Sequence, residues 1–151
     1  MTVLPDAGDV FAGPGPVTHP ETRQFWESLR DGTLCLQQCE QCDTIRFPLA
    51  PVCYSCLSFR YRWVPTDRNG TVHAAIRVER TTSSPAWRGA VPFLTGLVNM
   101  NLGRRLPGRI FCDCGIAARH GTPVTMCTIP TVDGQVAWGF THACGPAGAR
   151  S

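Results

Sequence analysis

Two short cysteine pairs constrain this 151-residue chain more than anything else in it: Cys39-Glu-Gln-Cys42 and Cys53-Tyr-Ser-Cys56, separated by ten residues. Within each pair the two sulfurs can turn back onto one ion, and a hairpin between the pairs brings all four together. Soft thiolates in a closed tetrahedral array suit zinc, and with every position taken by sulfur there is no place for a catalytic water. The spacing therefore predicts a structural Zn2+ held by Cys39, Cys42, Cys53 and Cys56. Disulfides or redox pairs are the rival reading. A redox CxxC opens a helix in a βαβ context, whereas here short apolar stretches flank turn residues.

Size makes the ion necessary. The stretch from Leu34 to Val64 is too short to bury a core of its own, since chains below ~40 residues usually need metals or disulfides. Zinc in small cysteine sites contributes an apparent ~10–16 kcal/mol at neutral pH. That matches or exceeds the whole stability of many domains, ~5–15 kcal/mol.

Composition leaves room for one ordinary domain, or a small module and a small domain, and 43% apolar residues suffice for a core. No apolar run reaches the 18 residues that suggest a membrane span. The opening residues, Met1 to Asp9, carry neither a basic n-region nor an apolar h-region. The expectation is a cytoplasmic protein with reduced thiols, which favours metal over disulfide. A net charge of +3 is too weak to announce a nucleic-acid binder. All fourteen basic residues are Arg, which removes lysine-based covalent chemistry and suits phosphate contacts.

Taken in order, residues 1–17 are rich in Gly and Pro and read as a flexible tail. Residues 18–32 read as a helix over Pro20 to Asp31, with Thr18 and Glu21 as a capping box and Gly32 as its stop. Its apolar stripe is Phe25, Trp26 and Leu29. Two readings stay open: the stripe packs on its own chain, or Phe25 and Trp26 dock a partner. Residues 33–66 form the zinc ribbon, in which Phe59, Tyr61 and Trp63 alternate with Arg. Such a face is either a buried ribbon strand, the reading preferred here, or a stacking platform for single-stranded nucleic acid. Residues 67–142 carry five strand-like stretches divided by turns, which fits a five-stranded barrel of OB type. The first of these, Thr71 to Arg80, alternates so as to put Val72, Ala74, Ile76 and Val78 inward. Residues 143–151 are a second tail. The fold class is thus mainly β: an N-terminal helix, a rubredoxin-like zinc ribbon, then the barrel.

The order of these pieces resembles the zinc-ribbon/OB-fold proteins that accompany thiolase-like and other acyl-CoA enzymes. The resemblance runs from Glu21 to Thr141. It is carried by Phe25-Trp26, the stretch Leu34 to Cys42, Arg46-Phe-Pro48, Cys53 to Ser58, Gly70-Thr-Val72, Leu97 to Gly103 and Gly121-Thr-Pro-Val124. It implies a non-catalytic auxiliary subunit whose ribbon and helix dock a thiolase-like or aldolase partner and whose barrel meets an acyl-CoA. The CoA phosphates would want cations, and Arg104, Arg105 and Arg109 cluster at one turn while Arg77 and Arg88 lie near another.

The other cysteines suggest no catalysis. Cys35 and Cys127 are expected to be buried as small hydrophobes. Cys112 and Cys114 share a strand face, Cys144 lies in the tail, and none of the four histidines forms a ligand-pair motif. Two further functions are weighed against the auxiliary role: a nucleic-acid-binding ribbon and barrel, and an acyltransferase working alone through Cys114.

Overall fold

The computed structural model describes residues 15–82, 85–111, 119–131 and 133–142. The chain opens with a 3-10 turn at Pro20–Thr22 and helix α1 at Arg23–Arg30. Strands β1 (Cys35–Cys39), β2 (Ile45–Arg46) and β3 (Tyr61–Pro65) form an antiparallel sheet in the order β2-β1-β3. Then β4 (Asn69–Val78), β5 (Phe93–Met100), β6 (Arg105–Phe111), β7 (Pro123–Pro130) and β8 (Val136–Thr141) close into a barrel in the order β4-β5-β6-β8-β7. All barrel pairings are antiparallel except β6 with β8. This is the helix, ribbon and five-stranded barrel that the sequence implies. Among the described residues no helix is long and apolar enough to cross a membrane.

One core runs through all three parts. Phe25 and Leu29 of the helix and Leu34 and Leu36 of the ribbon pack with Val72, Val98, Leu106, Ile110, Met126 and Phe140 of the barrel. Trp138 on β8 is the meeting point: its ring lies 5.6 Å from Phe25, 5.5 Å from Trp26 and 6.4 Å from Phe47. Its indole N–H donates to the Pro107 carbonyl at 2.7 Å, which fixes the ring. A polar brace crosses the same junction, where Arg104 Nε donates to the Ile45 carbonyl at 2.8 Å and its guanidinium lies over the Tyr54 ring. Glycine is required where β4 and β5 approach closely. A Cβ at Gly96 would stand 2.1 Å from the Ala74 carbonyl oxygen, and one at Gly70 2.5 Å from that of Asn99.

The structure corrects two local expectations. The helix cap sits one residue later: the His19 N–H donates to Thr22 Oγ1 at 3.2 Å, in place of Thr18 with Glu21, and the α-helix ends at Arg30. Gly32 does take the left-handed conformation, with φ +85°. In β4 a bulge between Val72 and Ala74 inserts His73 opposite no partner on β5. An extra residue reverses the in–out phase of everything after it. Val72 is buried as expected, but Ala75 then packs on the core while Ala74 and Ile76 point outward, Ile76 65% exposed.

At the entry to β4, Asp67 Oδ1 accepts the Asn69 N–H at 2.7 Å and Oδ2 accepts from Asn101 Nδ2 at 3.2 Å. These two donors hold its carboxyl below the ordinary carboxylate range. The stabilisation is therefore complete above the unfolded value of about 3.9 and is lost as pH falls through the lower folded value. Asp67→Ala is expected to lower the Tm at pH 7, with the gap to the parent protein closing in thermal melts taken below about pH 4.

Candidate metal centre and the cavities around it

Both cysteine pairs fold into the same knuckle. Asp43 N–H donates to the Cys39 carbonyl and Leu57 N–H to the Cys53 carbonyl, at 3.0 and 2.8 Å. Cys39 N–H in turn donates to the Thr44 carbonyl and Cys53 N–H to the Ser58 carbonyl, both at 2.9 Å. The equivalent residues Asp43 and Leu57 are left-handed, with φ 57° and 63°. Strand β1 ends on Cys39, and β2 and β3 pair on either side of it, so the sheet delivers one knuckle against the other.

The four sulfurs lie within 4.8 Å of one another, with Cys39 to Cys56 at 3.5 Å and Cys42 to Cys53 at 3.6 Å. A tetrahedron with metal–sulfur bonds of ~2.3 Å has edges of ~3.8 Å, so the residues fit a zinc ion and close its coordination sphere. Burial pushes the Cys39 thiol up, but the N–H groups of Gln41 and Cys42, the Arg46 guanidinium and the Cys56 sulfur outweigh it and hold the thiol at about 6. The Cys56 N–H likewise lowers Cys53 against its burial. Cys56 moves the other way: the Ser58 N–H lowers it, yet burial and the neighbouring sulfurs of Cys42, Cys39 and Cys53 push it up to about 12. Sulfurs this crowded cannot all be anionic without a cation among them, which is the electrostatic case for a divalent ion at their centre.

The other expected site residues are dispersed. Phe25 is buried between Trp26 and Trp138, so its ring packs within its own chain and offers no docking surface. Trp26 is half-buried and lines a groove of about 460 Å³ with Trp87, Phe93, Trp138 and Arg109. In that groove the Arg109 guanidinium lies between the rings of Phe93 and Phe111, at 5.0 and 4.9 Å. Arg104 and Arg105 line a different cleft, about 530 Å³, with Phe47, Asn99 and Gly103. Arg105 Nε donates there to Asn99 Oδ1 at 2.8 Å. Arg77 is ion-paired with Glu79 and Arg88 is exposed beyond the 3-10 turn at Pro85–Trp87; neither lines these cavities. The five arginines thus do not converge on one ligand.

Tyr61 and Trp63 share a face of β3, their rings 6.0 Å apart, but Phe59 does not join them. Phe59 precedes the strand and is 73% exposed, while Tyr61 is half-buried under the Arg46 guanidinium and Trp63 packs on the core. Cys127 is buried, and desolvation pushes its thiol up to about 11, that of an inert packing residue; Cys35 is half-buried. Cys112, Cys114 and Cys144, most of the 1–17 tail and all of the 143–151 tail lie outside the described residues. Sequence reasoning missed Arg46, fully buried between the knuckles. Its one signal was a cation flanked by Ile45 and Phe47 between the two cysteine pairs.

Removal of zinc by a strong chelator is expected to unfold the ribbon and disturb Trp26 and Trp138, read as loss of ribbon circular dichroism together with a tryptophan emission shift. Leu57→Gly is expected to stabilise the zinc-bound protein. A left-handed leucine costs ~1–2 kcal/mol and glycine returns ~0.5–1 of that through unfolded-state entropy. With Leu57 73% exposed there is little packing to lose, so a gain of about 0.5–1 kcal/mol should appear in denaturant titrations.

Comparison with known proteins agrees with this architecture. Residues 26–62 match the family described as ChsH2, rubredoxin-like zinc ribbon domain. A Thermomonospora curvata protein named "probable enoyl-CoA hydratase alpha subunit" is 30% identical over 113 residues, which is 75% of this chain and 34% of the relative. The chain therefore spans about a third of the length of that curated relative. Among solved structures, a chain described as "Ltp2-ChsH2(DUF35) aldolase" superposes with a TM-score of 0.73 at 24% identity, covering 85% of this chain and 98% of that one. A DUF35 protein of unknown function from Sulfolobus solfataricus gives a TM-score of 0.53 at 17% identity, covering 72% and 78%. The resemblance read from the sequence is borne out: residues 26–62 match a rubredoxin-like zinc ribbon family, set before a five-stranded barrel in the fold that the DUF35 chains share.

Proposed function

We propose that this chain is a non-catalytic auxiliary subunit of an enzyme acting on CoA thioesters, with a thiolase-superfamily or aldolase protein as its partner. The observation that carries the reading is the ribbon match together with a fold likeness extending over 98% of a chain from an aldolase assembly. The curated relative, named for a subunit of an enoyl-CoA hydratase, points to the same chemistry. In this reading the partner supplies nucleophile and base, and the closed thiolate site is structural. A cytoplasmic location suits its reduced thiols.

The geometry suggests how the work divides. Phe59 and Leu57, both 73% exposed, stand out from the second knuckle and its exit, and are the ribbon's contribution to partner docking in place of Phe25. The cleft of Arg104, Arg105, Asn99 and Phe47 is the part suited to the phosphates and base of CoA, by guanidinium contact and aromatic stacking. The apolar groove beside Trp26 and Trp138 is the part suited to an acyl chain.

Co-expression with the neighbouring open reading frames and pull-down tests the assignment. The expected result is a stable complex with a CoA-thioester enzyme whose turnover falls when this chain is withdrawn. Arg105→Ala should weaken CoA binding to the complex about 10- to 150-fold, since a hydrogen bond to a charged group is worth ~1.5–3 kcal/mol. Thioester turnover by the isolated chain would overturn the auxiliary role. Retention of single-stranded nucleic acid with a steep salt dependence would replace it with the nucleic-acid reading.

A further inference from the structure

We infer that Arg46 is the internal counter-cation of the zinc–thiolate cluster, a positioning residue that acts on the metal through charge and not only through the backbone it braces. The inference rests on the structural-zinc reading. Arg46 is the second residue of β2, paired with Gln37 of β1, and its side chain is wholly buried between the two knuckles. Nη1 donates to the carbonyls of Ala50 and Pro51, both at 3.1 Å, and Nη2 to those of Ser58 and Arg60, at 3.0 and 2.9 Å. These carbonyls bracket the second knuckle on its entry and exit sides. The Ser58 carbonyl also accepts the Cys53 N–H and the Arg60 carbonyl the Glu40 N–H, which sets the guanidinium against both knuckles, 5.0 Å from the Tyr61 ring centre.

Four carbonyl dipoles satisfy the donors but do not cancel the charge. No described carboxylate lies within ion-pair distance of Arg46, whereas the exposed Arg60 and Arg62 are paired with Glu40 and Asp43. The buried Nε makes no hydrogen bond within the described chain. A buried cation without a compensating anion is costly, and a guanidinium persists in such a place only beside negative charge. Four thiolates on a divalent ion carry two excess negative charges, and the knuckles that hold them are those against which the guanidinium is set. The two burials are complementary: the arginine offsets the charge of the metal site, and the metal site offsets that of the arginine.

Arg46→Gln and Arg46→Lys in the full-length chain separate charge from bracing. Glutamine keeps amide donors and loses the charge, while lysine keeps the charge and loses the fork. Removing an outer-shell partner typically costs 10–100-fold in metal affinity. Arg46→Gln is accordingly expected to bind zinc roughly 10- to 100-fold more weakly in chelator competition. Arg46→Lys is expected to recover most of that loss. With Co2+ in the site, the thiolate charge-transfer band should move to lower energy in Arg46→Gln, as sulfurs without a neighbouring cation donate more strongly, and stay near the parent position in Arg46→Lys. Equal losses in both variants with an unmoved band would reduce Arg46 to a backbone brace and overturn the proposal, as would parental zinc affinity in Arg46→Gln. If Arg46→Gln does not fold, Arg46→Lys decides alone: affinity within about tenfold of the parent supports the proposal and failure to bind refutes it. A parent chain that binds no zinc would refute the metal reading itself, a separate result.

Discussion

The closure of four sulfurs around one ion is the constraint from which the rest of this molecule follows. The segment between β1 and β3 has one two-residue strand, tight turns and no fully buried apolar side chain but Cys53, so it cannot hold itself together by burial. Pinning its two knuckles to one point sets the angle between them, and that angle brings β2 and β3 to opposite edges of β1. Leu34 and Leu36 can then face the helix and barrel. The ribbon is thus the element that presents apolar side chains to the shared core, and its metal is the condition for doing so.

Electrostatics and packing are joined at that point. The thiolate cluster concentrates negative charge beside the buried Cys39 and Cys53, and the chain answers with Arg46 on one side and with backbone N–H groups in each knuckle. A few residues further out, the Tyr54 hydroxyl donates to the Ile45 carbonyl and accepts the Phe47 N–H, and Arg104 of the barrel donates to that same carbonyl. The polar contacts leading from the metal site to the barrel are therefore short and continuous, and they run alongside the aromatic contacts of Phe47 and Trp138.

Much of this was legible in the residues. The cysteine spacing announced the metal centre because coordination chemistry tolerates few alternatives. The turn glycines and alternating apolar residues announced a five-stranded barrel. What escaped were features decided by one residue's difference in register or by a distant neighbour. Val72, Ala74, Ile76 and Val78 alternate perfectly in sequence, yet the bulge at His73 sets the real phase, and nothing local marks a bulge there. Phe25 and Trp26 are adjacent and chemically alike; only the position of Trp138, more than a hundred residues away, decides that one is interior and the other a groove wall. The arginines sorted themselves by partners invisible in one dimension: Glu79 for Arg77, two aromatic rings for Arg109, Asn99 for Arg105.

Trp138 touches helix, ribbon and barrel at once, with its indole nitrogen tied to Pro107. A ring shared in this way means that moving one part against another would have to break contacts of all three. Shapes that arrive already assembled surrender little freedom on meeting a second protein, so the tightness of such a union is governed by how well the surfaces match.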